Sequence, residues 1–127
     1  MNRLEYHFDC LEGRCLFICE FDETSLRYDL ESTIEELPAK AGELSKEECE
    51  LFNKHISEAK IPAWDASYTP TLSKIEDGVK WKVKLHLEGK EYVSKGEESY
   101  EPYGYMELIK AMKLCIEKAE YFAAAGE

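Results

Sequence analysis

Hydrophobic and polar residues alternate along the start of this chain with the period of a β-strand. Segments 4–10 and 15–21 each place apolar side chains at every second position, which predicts two strands with one buried face each. The sequence LEGR between them is short and contains glycine, as is typical of a hairpin turn. Segment 25–32 alternates in the same way and predicts a third strand.

The loop of this first hairpin decides which residues lie opposite each other. A two-residue loop at Glu12 and Gly13 would place Cys10 opposite Cys15, so that apolar side chains meet on one face. A three-residue loop would put polar side chains beside apolar ones. We therefore predict the two-residue loop.

Two later segments have the spacing of amphipathic helices. The first begins at Ser45, which forms a capping box with Glu48, and it ends before Pro62. The second follows Pro102, and apolar residues between 108 and 122 line one side of it.

A second hairpin is predicted between these helices. Segment 79–87 alternates clearly between apolar and polar residues, and LEGK then turns the chain back. A loop at Glu88 and Gly89 would pair Leu85 with Tyr92.

The resulting order of elements is ββ(β)αββα. Because tight turns join the strands, we predict an antiparallel sheet of about five strands, two hairpins plus one strand, packed against two helices. A chain of 127 residues has room for one core, so we predict a single compact α+β domain over residues 1–127.

Charge changes the picture of what this domain could bind. The chain has 27 acidic and 16 basic residues, a net charge of −11, so direct nucleic-acid binding is not expected because phosphates would be repelled. The acids concentrate between residues 20 and 50, which is either a solvated surface or a surface that binds a basic partner. The candidate contacts are Glu35, Glu36, Glu43, Glu47, Glu48 and Glu50.

A tyrosine-rich segment precedes the last helix. It contains Tyr100, Tyr103 and Tyr105, and clustered tyrosines on a loop suit partner recognition. The alternative is that they pack over the end of that helix, against Trp64 or Trp81.

The stretch HFDCLEGRCLFIC holds the densest group of reactive side chains. Cys10, Cys15 and Cys19 lie along the two strands rather than in a tight zinc knuckle, and His7 points to the other face. We predict that these cysteines form the inside of a hairpin and that there is no metal site. Whether Cys10 and Cys15 form a disulfide under oxidation stays open.

Cellular location follows from features that are missing. No apolar run approaches the roughly 20 residues that span a bilayer, and the N-terminus lacks the apolar core of a signal peptide. The odd number of cysteines, five, is not typical of a secreted disulfide scaffold. We therefore expect a cytoplasmic protein that does not bind membranes.

A row of basic residues marks the second hairpin. Lys80, Lys82, Lys84 and His86 occupy the polar face of segment 79–87. Such a face could hold phosphate or an acidic partner. We favour the structural explanation, in which alternating lysines protect a solvent face or an exposed edge from aggregation.

These observations support two functional hypotheses. No motif for catalysis or for a cofactor is present, so the first is a small non-enzymatic protein that binds another, basic protein. Its expected form is an inhibitor, such as an immunity protein, an antitoxin or a phage-encoded blocker of a basic or nucleic-acid-binding partner. A homodimer formed through a helix is also possible.

The second hypothesis is a small-molecule-binding or enzymatic domain with a pocket between the sheet and the helices. Its candidate residues are Trp64, Tyr68, Trp81 and Lys82, with His55 or Cys49 near the mouth.

Overall fold

The computed structural model describes residues 1–68, 79–97 and 102–124, which form one mixed sheet and three α-helices. The strands are β1 (Asn2–Cys10), β2 (Gly13–Phe21), β3 (Leu26–Ser32), β4 (Lys40–Glu43), β5 (Ser67–Tyr68), β6 (Lys80–Leu87) and β7 (Lys90–Glu97). The helices are α1 (Lys46–Ala59), α2 (Tyr105–Lys113) and α3 (Tyr121–Ala124), and a short 3-10 turn covers Ile61–Ala63.

The strands lie in the order β4-β3-β2-β1-β6-β7-β5. All neighbours are antiparallel except β5 and β7, which are parallel. The α+β class is confirmed, but the prediction of about five antiparallel strands was wrong, because no pattern in the sequence indicated β4 or β5. Strands of four and two residues are too short to show an alternating pattern.

The predicted closing helix is broken into two pieces. α2 ends at Lys113, and a series of turns connects it to the single helical turn of α3. The apolar spacing nevertheless predicted the buried side chains correctly, because the buried positions continue through the turns. They are Leu108, Ile109, Met112, Cys115, Ile116, Ala119 and Phe122.

One face of the sheet carries the core. The alternate residues of β1 pack on α2 and α3, with the rings of Tyr6 and Phe8 at 4.9 and 5.0 Å from that of Phe122. α1 packs at one end of the same face, where Phe52 meets Phe21 edge to face at 5.1 Å. The opposite face carries the polar residues of each strand.

The first hairpin has a different register from the one predicted. Cys10 lies opposite Gly13, not Cys15, and the two-residue loop is Leu11–Glu12. The shift is by two residues, so the same side chains still face the core. Gly13 is required at the start of β2 because a Cβ there would lie 2.5 Å from Thr33 Oγ1.

The second hairpin has the predicted register. Leu85 lies opposite Tyr92, and the loop is Glu88–Gly89. Both loop residues have positive φ, 50° and 82°, which matches the right-handed twist of the strands.

The predicted start of α1 is also confirmed. The Ser45 hydroxyl accepts a hydrogen bond from the Glu48 backbone at 3.1 Å, and Glu48 Oε1 accepts one from the Ser45 backbone at 3.0 Å. Cys49, Phe52 and Ile56 form the buried stripe.

The cysteines are free thiols. Cys15 and Cys19 are buried inside the first hairpin, as predicted, and Cys10 is half-buried at its end. Burial raises the pKa of the Cys15 thiol and raises that of Cys19 well above its usual value. His7 lies on the other face of β1, where its Nε2 is 3.6 Å from Glu5 Oε1.

Candidate functional site

The acidic candidates surround β4, at one edge of the sheet. β4 pairs with β3 on one side, and among the described residues no backbone group pairs with its other side. An unpaired strand edge is a template for another extended chain. We call this surface the acidic edge and define it as β4 with Glu35, Glu36, Glu43, Glu47 and Glu50, all of them exposed glutamates.

The glutamates of the acidic edge form two groups, one at each end of β4. Glu35 and Glu36 lie in the loop before the strand, whereas Glu43 ends the strand and Glu47 and Glu50 lie at the start of α1. Four strand residues span about 13 Å. A partner that lies along β4 would therefore meet negative charge at both ends.

Two of the candidate glutamates already have partners. Glu48 belongs to the capping box, and the backbone hydrogen bond from Ser45 lowers its pKa. Glu43 lies 3.9 Å from Arg27, but both side chains are exposed, 73% and 80%, so this pair is weak. The remaining negative charge of the acidic edge comes from the other four glutamates.

The lysine within β4 does not neutralise this surface. Lys40 Nζ donates a hydrogen bond to the Cys115 carbonyl oxygen at 3.0 Å and lies 5.9 Å from the centroid of the Tyr28 ring. Both contacts hold the ammonium group on the helix-covered side of the sheet. The exposed residue at the middle of the strand is the small Ala41, which leaves the backbone accessible.

The tyrosine candidates do not join the acidic edge. Tyr105 is 2% exposed, and its hydroxyl is hydrogen-bonded to that of Tyr6, so it belongs to the core. Tyr103 is 92% exposed, but it lines a cavity with Lys60 at the far end of α1 from Glu47. A helix of 14 residues is about 21 Å long. Tyr100 lies outside the described residues.

The three aromatic pocket candidates come together at the other end of the sheet from β4, whereas the Lys82 side chain projects from the opposite, open face. The Trp81 ring lies 6.0 Å from that of Trp64 and 5.9 Å from that of Tyr68. Tyr68, Trp81 and Lys82 line a cavity of about 540 Å³ where β1, β5, β6 and β7 meet. Trp64 lies behind this wall, where its indole N–H donates to the Ala59 carbonyl at 2.9 Å.

The two residues expected at the mouth of that pocket lie elsewhere. Cys49 is buried, and its thiol donates to the Asp22 carbonyl oxygen at 3.3 Å. His55 joins α1 to α2 through Glu107, with Nδ1 and Oε1 2.9 Å apart.

The structure reveals a group of potential metal ligands that sequence reasoning missed. Donor atoms of His55, Glu58 and Glu107 lie within 4.8 Å of one another. The i, i+3 spacing of the first two was a visible signal, but nothing in the sequence pointed to Glu107. Because Lys110 Nζ lies 3.0 Å from Glu107 Oε2, an ammonium group already occupies this carboxylate, and we assign no metal there.

The lysine row does not protect an edge. β6 lies between β1 and β7, so both sides of this strand are paired. Lys82 lies directly opposite His7 on one neighbour and Lys95 on the other. This places several basic side chains side by side on the open face.

No family model matches this chain, and no curated protein is significantly similar to it in sequence. Within the described ranges, none of the helices is long and apolar enough to cross a membrane.

Proposed function

We propose that this protein acts by protein–protein contact and binds a basic partner along the acidic edge. The observation that carries the proposal is an unpaired edge strand with exposed glutamates at both of its ends. Main-chain hydrogen bonds to β4 would supply affinity, and lysine or arginine side chains at either end would supply register.

The charge of the acidic edge selects against other partners. A second copy of the chain carries the same net charge of −11, so pairing of two β4 edges brings like charges together. A neutral strand would gain the backbone hydrogen bonds without compensating the glutamates. A basic extended segment gains both.

An inhibitor is the form of activity that this geometry suits. A domain of 127 residues that covers a basic surface with exposed carboxylates competes with any anionic substrate for that surface. Immunity proteins, antitoxins and phage-encoded blockers of nucleic-acid-binding enzymes work on this principle. Long-range attraction would also accelerate association at low ionic strength.

The test is affinity capture from host lysate, treated with nuclease, with three forms of the protein. The first is the unmodified chain, and the second carries Glu35, Glu36, Glu47 and Glu50 changed to Gln. The control carries the same change at four exposed glutamates away from β4, namely Glu58, Glu88, Glu91 and Glu117.

We expect the unmodified and control proteins to recover one basic protein at low salt. The edge variant should fail to recover it, and high salt should release it from the unmodified and control proteins. In the recovered complex, hydrogen exchange should slow at the β4 amides. Equal capture by the edge variant and the control, or no basic protein captured by any form, would contradict the proposal.

A further inference from the structure

We propose that the open face of the sheet, opposite the helices, binds a single phosphate group at His7, Lys82 and Lys95. These residues lie on the adjacent strands β1, β6 and β7 and are directly opposite one another in the strand pairing. We call them the basic cluster. The inference is independent of the proposed function, because β6 lies four strand spacings from β4, about 19 Å across the sheet.

Charges on the rest of the open face alternate in sign from one strand to the next. On one side of the basic cluster, a row across β2, β1, β6 and β7 holds, in order, Arg14, Asp9, Lys80 and Glu97. On the other side, a row across β4, β3, β2 and β1 holds, in order, Glu43, Arg27, Glu20 and Arg3. Opposite charges directly across from each other stabilise a sheet, so these rows neutralise themselves.

The basic cluster breaks this alternation. Lys82 lies between His7 and Lys95, so three basic side chains follow one another with no carboxylate among them. None of the ion pairs within residues 1–68, 79–97 and 102–124 involves either lysine. Like charges directly opposite each other destabilise a sheet. A bound anion would restore the alternation at this row.

The carboxylates of the neighbouring rows already have basic partners. Their oxygen atoms lie 3.3 to 3.9 Å from basic nitrogen atoms in three pairs, Glu5 with Arg3, Asp9 with Arg14 and Glu97 with Lys80. Glu5 also lies 3.6 Å from His7, so within the cluster it is the two lysines that await an external anion. A long polyanion would extend toward Asp9 and Glu97 and be repelled, and the cluster therefore suits one phosphate group.

A hydroxyl group extends the basic cluster onto a fourth strand. Ser67 on β5 lies opposite Lys95. The Tyr68 ring lies on the helix-covered face, 5.9 Å from that of Trp81, so the preceding side chain of Ser67 projects from the open face. A phosphate group has several oxygens and can accept hydrogen bonds from the lysines and this hydroxyl at once.

The site recognises charge and not an aromatic ring. Trp81 is 5% exposed and packs on the helix-covered face, whereas Lys82 and Lys95 are exposed on the open face. Whatever the phosphate is attached to would project into solvent. The ligand is therefore either free phosphate or the phosphate group of a small polar molecule, and the experiment has an arm for each.

The net charge of −11 does not prevent an anion from binding at this position. At physiological ionic strength, charges are screened over about 8 Å, which is less than half of the distance between β4 and β6. Nearer to the site, Lys80 and Lys84 flank Lys82 on the same strand face. The local potential is therefore positive.

The experiment is an NMR titration of the ¹⁵N-labelled full chain with inorganic phosphate, glucose 6-phosphate and glucose, with sodium chloride at matched ionic strength as the baseline. We expect both phosphate compounds to shift the amides around Lys82 and Lys95 in a saturable way at millimolar concentration. Glucose and sodium chloride should not do so. The phosphate compound that binds more tightly identifies the source of the ligand. If neither bound saturably, or if sodium chloride produced the same shifts, the proposal would be overturned.

Matched variants test the residues. Lys82→Gln and Lys95→Gln should each weaken phosphate binding at least tenfold. Lys84→Gln, on the same face of β6 but opposite Glu5, should weaken it no more than threefold. The dispersion of the amide spectrum checks that each variant is folded, and equal losses in all three would show a general charge effect and overturn the site. The acidic-edge variant should bind phosphate at least as well as the unmodified chain, so failure of either proposal can be distinguished from failure of the other.

Discussion

His55 Nδ1 lies 2.9 Å from Glu107 Oε1, and this contact joins α1 to α2 across 52 residues of sequence. Lys110 Nζ reaches the other oxygen of the same carboxylate at 3.0 Å. The hydrogen bond from His55, followed by that from Lys110, lowers the pKa of Glu107. The folded state therefore favours the ionised carboxylate.

Replacement of Glu107 should have a pH-dependent effect on stability. Because the folded-state pKa is lowered, the stabilisation is complete above the ordinary value of 4.5 and is lost as the pH falls through the lowered value. Glu107→Gln should cost about 0.5 kcal/mol at pH 7, as is usual for partly exposed pairs. Urea unfolding between pH 7 and pH 3 should show this difference shrinking.

The exposed Glu117→Gln variant serves as the control for that series. Its unfolding free energy should follow that of the unmodified chain at every pH. A difference for Glu107→Gln that stayed constant down to pH 3 would contradict the role assigned to the ionised carboxylate.

Loss of the capping box should destabilise α1. Ser45→Ala removes the acceptor for the Glu48 backbone N–H and leaves one of the first donors of the helix without its side-chain partner. We expect a cost of about 1 kcal/mol by chemical unfolding. Ser45→Asp retains an acceptor and should be close to neutral. Equal losses in both variants would argue against the cap.

The five thiols should differ sharply in reactivity. Cys10 is half-buried at the end of the first hairpin, whereas Cys15, Cys19, Cys49 and Cys115 are buried. Burial raises the pKa of the Cys115 thiol to about 12, so very little thiolate exists at neutral pH. Iodoacetamide at pH 7.5 should label Cys10 first, and the others should react only under denaturing conditions. Rapid labelling of Cys115 in the folded protein would contradict its burial.

Local sequence signals predicted what depends on local structure. The capping box at Ser45 and the turn at Glu88 and Gly89 were correct because neighbouring residues determine each of them. Gly13 was assigned to the turn on the same logic, but it lies at the start of β2 opposite Cys10, where a Cβ would come 2.5 Å from Oγ1 of Thr33, twenty residues away. No local pattern carries that information.

The candidate sites show the same limit. The exposure of Glu35, Glu36, Glu47 and Glu50 followed from their charge. Their common position around an unpaired strand did not, because β4 has too few residues to give a periodic signal. By contrast, Lys95 lies opposite Lys82 as the predicted register of the second hairpin implies.

Gly104 should be the least replaceable of the glycines in turns and caps. It has φ of 98° at the start of α2, and a Cβ there would collide with the backbone of Ala59 at the end of α1. Gly89 has a similar φ of 82°, but a Cβ there would meet nothing within 4 Å. Alanine substitution at Gly89 therefore measures the cost of backbone strain alone, and substitution at Gly104 measures that cost together with the steric collision.

Alanine at Gly89 should cost about 1 kcal/mol, the usual penalty for a left-handed conformation. Alanine at Gly104 should cost more, about 3 kcal/mol or above, because α1 and α2 must move apart in addition. Thermal and urea unfolding of the two variants measure the difference directly. Equal stability of the two variants would contradict this prediction. It would mean that the close approach of Gly104 to Ala59 adds nothing to the cost of the substitution, and that α1 and α2 are packed less tightly than the structure shows.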